Sequence, residues 1–165
     1  MNLQELLDWA FQRHLNPLSW YIRPLFLLCL CYFAYLRNWK GIILTFLVMT
    51  SSMVWFPAPH VINPQMQEVL EFEKQMLGSP VSAILTLGLM FGLLAIILYA
   101  FWRRSLMTAL IILNGLILGK LLLAVIFTGE AGLGTLPVTF FGLLLVNIAG
   151  YLIYRLRVRQ LEKND

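Results

Sequence analysis

Charge is what this chain most lacks: Asp, Glu, Lys and Arg make up 12% of its 165 residues, against 60% hydrophobic side chains. That is too little polar surface to cover a water-soluble globule, so the solvent for most of the chain is lipid. Aspartate occurs twice, at Asp8 and Asp165, and histidine twice, at His14 and His60. The paired acids or Ser/His pair of an intramembrane hydrolase are therefore missing, as are His-Glu-x-x-His, Cys-x-x-Cys, Gly-x-Ser-x-Gly and a phosphate-cradling glycine loop leading to Lys-Ser/Thr. His60 with Glu68 or Glu130 has no recognised ligand spacing, so neither a metal nor any other cofactor is expected. The two cysteines, Cys29 and Cys31, lie two residues apart in one apolar stretch. On a helix they point roughly 200° apart and cannot bond to each other, which leaves them as small apolar packing residues.

What the chain does have is apolar length. Five stretches approach the roughly 20 residues a helix needs to cross the hydrocarbon: 18–36, 41–56, 81–102, 106–127 and 137–154. The second is the shortest, with Trp55 and Phe56 placed as interfacial anchors. Asn16-Pro17, Asn63-Pro64 and Ser79-Pro80 each put a capping side chain before a proline in the first turn of a helix, and Leu136-Pro137 is a weaker version. Pro24 lies two turns inside the first stretch, where it removes a backbone bond to Trp20 and predicts a kink. Residues 1–15 place Leu3, Leu6, Leu7, Ala10 and Phe11 opposite Gln4, Glu5, Asp8 and Gln12, as in an interfacial helix. Residues 64–77 form a second amphipathic helix, with Gly78 placed as its left-handed terminator. The run 128–134 reads as a flexible glycine-rich turn, and 155–165 as a basic tail. No basic region followed by an apolar core and a small-residue cleavage site is found, so the first stretch is expected to be retained. The expectation is a single all-α integral membrane domain, 1–165, without internal repeats.

The cations supply an orientation. Arg37 and Lys40, Arg103 and Arg104, and Arg155, Arg157, Arg159 and Lys163 occupy every second connection. The alternate side holds Arg13, Arg23 and Lys74, together with six of the eight acidic residues. By the positive-inside rule the amino terminus is outside and the carboxyl terminus cytoplasmic, in the cell (inner) membrane. Cations confined to helix ends also argue against a nucleic-acid partner, which would need them gathered on one face.

Three charges stand out from this sorting. Lys120 lies inside the fourth stretch, about seven residues and so about 10 Å from its outer end; an intramembrane cation is a functional candidate, with snorkelling as the alternative. Glu73 falls at about −20° on a helix face whose apolar members Met66, Val69, Leu70, Met76 and Leu77 span about −80° to +40°, and it needs a cation if that face is buried. Lys120 and Arg23 are the two at suitable depth. Asn114 and Asn147 sit at similar depths in the last two stretches and are expected to hydrogen-bond to each other. Gly88 with Gly92, and Gly115 with Gly119, match the small-residue spacing for close helix approach, within the chain or between copies. The leading functional expectation is a non-enzymatic accessory subunit or self-associating membrane component, with the bilayer and a membrane protein or a second copy as partners. The alternatives are a small oligomeric solute or ion transporter using Lys120 and Glu73, and an enzyme acting on a lipid-linked substrate through Arg23, Glu73 and Lys120.

Overall fold

The computed structural model describes residues 3–161, with side chains from Glu5 to Arg155 except Leu7. Asn2 and the charges at Arg157, Arg159, Glu162, Lys163 and Asp165 lie outside the described residues or side chains. Among the described residues the chain is all helical, with no strand. The helices are α1 (Leu3–His14), α2 (Pro17–Tyr21), α3 (Arg23–Tyr35), α4 (Trp39–Ser51), α5 (Pro64–Met76), α6 (Pro80–Trp102), α7 (Leu106–Thr128) and α8 (Leu136–Leu161), with 3₁₀ turns at Ser52–Val54 and Gly129–Thr135.

Three helical segments among these residues are long and apolar enough to cross a membrane: Pro17–Tyr35, Pro80–Trp102 and Leu106–Arg155. The last would run about 75 Å if straight, more than twice the roughly 30 Å of hydrocarbon. Gly129–Thr135 instead folds it back on itself as α7 and α8. Trp39–Val54 is apolar but shorter. Helix α8 continues past the expected end of the fifth stretch at Tyr154, so residues 155–161 of the basic tail are helical.

Local chemistry accounts for most helix starts. Asn16, Asn63 and Ser79 each accept a hydrogen bond from a first-turn amide, of Leu18 (3.1 Å), Gln65 (2.9 Å) and Ser82 (3.2 Å), and each is followed by proline. Pro24 has no N–H to give Trp20, and the first apolar stretch breaks beside it at Ile22 into α2 and α3.

Helix ends are less obvious. Gly78 is not left-handed: α5 ends on Leu77 with φ −98°, and Gly78 N donates to Gln75 O at 3.0 Å. The next residue, Ser79, precedes Pro80 and must be extended (φ −124°, ψ 149°), so the chain leaves α5 without a left-handed step. Among the described residues the non-glycine positions with positive φ are Arg37 (57°) and Arg104 (58°). Arg37 N donates to Ala34 O and Asn38 N to Phe33 O; Arg104 N donates to Phe101 O and Ser105 N to Ala100 O. These are two copies of one Schellman turn. In each, the residue after the arginine is the N-cap of the next helix, so α3–α4 and α6–α7 are tight hairpins of the same design.

The main core lies at the arginine end: Leu30, Cys31 and Ala34 of α3 pack with Ile97, Ala100 and Phe101 of α6, Ala109 and Leu113 of α7, Val146 of α8 and Ile42 of α4. Three alanines in that set let the helix backbones approach closely. Arg37 Nε donates to Trp102 O at 3.3 Å, the Trp39 and Trp102 rings meet at 4.9 Å, and the Arg104 guanidinium lies over Tyr35. A smaller cluster of Trp20, Met66 and Val69, with Val138 against it, closes the opposite end. Helices α1 and α5 cap that end.

Glycine plays two different parts. Gly88, Gly92, Gly115 and Gly119 have open space where a Cβ would stand, so they mediate no packing within the chain. Both pairs point away from the bundle, where spacing alone does not reveal what lies opposite. The 128–134 run, expected to be flexible, is a packed 3₁₀ segment with Ala131, Gly132 and Thr135 buried. A Cβ on Gly132 would stand 2.5 Å from the Ala124 backbone carbon, and one on Gly134 would stand 2.7 Å from Gln65. Glycine serves close approach there, pressing the turn between α5 and α7.

Candidate functional site

The charged side chains at the capped end converge from four segments. Glu73, on the inner face of α5, meets Lys120 of α7, with Oε1 and Nζ 3.6 Å apart. The lysine stem carries its ammonium toward Trp20 of α2, 5.6 Å above the ring centroid. Neighbouring contacts fasten the same cap: Lys74 pairs with Asp8 of α1 at 3.5 Å and lies over the Phe11 ring, and Phe72 stacks on Phe127. Arg13 Nη1 and Asn16 Nδ2 donate to the carbonyls of Phe56 and Pro57, tying α1 and the start of α2 to the turn after α4.

Beneath the cap lies His14, which is 1% exposed. Its ring stacks on Trp20 with centroids 5.0 Å apart and planes within 3° of parallel. His14 O accepts from Trp20 Nε1 at 2.8 Å. Ser19 Oγ lies 2.9 Å from His14 Nδ1, 2.9 Å from His14 O and 2.7 Å from Asn16 O. Which of Ser19 Oγ and His14 Nδ1 donates is set by the imidazole tautomer. Nε2 is buried with no hydrogen-bond partner among the described residues. Burial, reinforced by the charges of Arg23 and Lys120, lowers the His14 pKa from 6.5 to about 3, so the ring is neutral at physiological pH.

The sequence candidates thus divide. Glu73 and Lys120 are in contact, and Arg23 lies within the field of Glu73. Asn114 and Asn147 exchange side-chain hydrogen bonds, Asn147 Nδ2 to Asn114 Oδ1 at 2.7 Å and Asn114 Nδ2 to Asn147 Oδ1 at 3.3 Å. Each amide also donates to the carbonyl four residues back, Leu110 or Leu143, at 2.8 Å. This polar lock fixes the register of α7 against α8 where few other groups can. His60 and Glu130 are exposed, and among the described residues no three His, Cys, Asp or Glu side chains gather as a metal site would need. Sequence reasoning missed the His14–Ser19–Trp20 unit. Its signal was present in a histidine just before an Asn-Pro cap, with Ser and Trp in the turn that follows.

The arrangement is chemically a clamp. It has the Lys120–Glu73 pair, a second cation in Arg23 and a buried neutral imidazole, all under a helical lid. Comparison with protein-family models, with curated proteins and with solved structures finds no match for this chain.

Proposed function

We propose that the chain crosses the membrane five times, with Trp39–Val54 completing the set and α7 and α8 crossing separately. Its amino terminus and the α1/α5 cap are outside, and its carboxyl terminus is in the cytoplasm. Supporting this, Arg37, Lys40, Arg103 and Arg104 share the end opposite Glu73, Glu68 and Glu71, as cation sorting requires. Reporter fusions at Gly78 and after Asp165 test it; activity of both on the same side overturns it.

Its role in this reading is that of a non-enzymatic membrane component working through self-association or as an accessory subunit. The carrying observation is the exposure of α6. Its fully buried residues, Ile97, Ala100 and Phe101, lie in the last turns, while Val81, Ile84 and Leu85 remain 70%, 72% and 68% exposed. Gly88 and Gly92 of α6 stand about as far from the Arg104 turn as Gly119 and Gly115 of α7, so one hairpin presents two open backbone steps at matched depth. The test is the mass of the protein in mild detergent, with Gly92→Leu and Gly115→Leu as variants. An oligomer or stable complex that these variants disperse supports the reading; a monomer without a partner overturns it.

A second reading, a small oligomeric transporter with an outward-facing charged site, is favoured by the unpartnered Nε2 of His14 near Lys120. Lys120→Met separates the two. Unchanged flux in vesicles with intact assembly removes the transporter.

A further inference from the structure

At the arginine end a crevice of about 300 Å³ opens between α3, α7 and α8. Its walls include Leu28, Cys31 and Tyr35 of α3, Leu110 of α7, and Ala149 and Gly150 of α8, and almost all of the lining is apolar. It follows α3 from Leu28 to Tyr35 and α8 from Val146 to Ile153, about 10 Å along each helix at 1.5 Å per residue. A slot of that length parallel to the helices matches several methylenes of an extended acyl chain. Its mouth is basic. The Arg104 guanidinium lies 5.5 Å from the centroid of the Tyr35 ring that forms one wall. The left-handed turn at Arg104 places that cation beside the crevice, in a conformation that an arginine adopts only at a cost.

We propose that this crevice is a binding site for one anionic phospholipid of the leaflet at the arginine end, with an acyl chain between α3 and α8 and the headgroup phosphate on Arg104. An apolar slot with a cationic mouth is complementary to an amphiphile with an anionic head, and it lies at the depth where such a molecule already is. A cation near the surface contributes about 1 kcal/mol toward anionic lipid, which is about a fivefold preference for each arginine engaged.

The experiment uses the full chain in nanodiscs of phosphatidylcholine and phosphatidylglycerol at 4:1, released into native mass spectrometry. One retained phosphatidylglycerol per chain is expected, enriched about fivefold or more over its share of the bilayer. Arg104→Asn keeps a residue that tolerates the left-handed backbone and removes the charge; it should retain lipid with the headgroup preference lost. Ala149→Phe, or Cys29→Phe should the first not fold, fills the crevice and should abolish retention. Lys40→Gln removes a cation from the same end away from the crevice and should change nothing. Overturning results are no retained lipid, retention unaffected by a crevice-filling variant, or equal loss of preference in Lys40→Gln and Arg104→Asn, which would mean a diffuse basic surface rather than a site.

Discussion

Acidification should loosen the α1/α5 cap through one side chain. His14 is neutral in the folded chain, with its pKa lowered from 6.5 to about 3 by burial and by Arg23 and Lys120. When the cap undocks, the ring returns to water and titrates normally. The undocked state therefore binds the extra proton between these two values, and stability falls as pH falls. The contribution is complete above pH 6.5 and is lost progressively toward pH 3. Between pH 7 and pH 5 the loss is about 2 kcal/mol. For a chain of this size that lowers the melting temperature by roughly 4–8 °C. His14→Phe keeps a ring to stack on Trp20 and cannot titrate, so its melting temperature should be nearly flat over the same interval, above the range where free carboxylates protonate. Thermal unfolding in detergent, followed by Trp fluorescence at pH 7, 6 and 5 for both proteins, makes the comparison. An equal fall in His14→Phe, or a wild-type fall centred above pH 7, refutes the assignment.

Three further outcomes follow from the packing. Glu73→Gln, Lys120→Met and the double variant should give a coupling of about 0.2–1 kcal/mol in denaturant unfolding, because the lysine side chain is 65% exposed; zero coupling would mean that the two ends of the contact act independently. Gly132→Ala drives a methyl into the Ala124 backbone and should cost about 1–3 kcal/mol, whereas Gly88→Ala meets open space and should cost nothing, so equal effects in thermal unfolding would contradict the packed turn. At Arg37, glycine should be more stable than valine by about 2 kcal/mol, since φ is 57° and a β-branched residue fits there worst; a helix-like ranking, valine above glycine, would place the turn elsewhere.

Much of the architecture was legible because it depends on local or one-dimensional physics. A cap followed by proline needs only neighbouring residues, so Asn16, Asn63 and Ser79 could be placed from sequence, as could the break beside Pro24. The phase of one carboxylate on an amphipathic face asked for a cation, and Glu73 meets Lys120. The pairing of Asn114 with Asn147 followed from equal depth. His14 was harder to read, because its importance lies in the stacking of Trp20 and in three contacts to a single serine hydroxyl, none of which a linear pattern encodes.

Glycines and helix ends are where linear spacing stops being informative. Whether a glycine permits contact depends on what stands opposite, so the spaced pairs at 88/92 and 115/119 face open space while Gly41, Gly132 and Gly150 receive Phe33, Ala124 and Leu110. The helix ends show a competition between two forces. Local conformational preference favours glycine at the left-handed position, since any other L-residue costs about 1–2 kcal/mol there. At a lipid–water boundary an arginine recovers about 1 kcal/mol from anionic headgroups, and it fixes which side of the bilayer the turn occupies. Arg37 and Arg104 occupy the left-handed position despite that cost. An arginine at each of these turns thus hides its geometry, because it stands where glycine would have announced it.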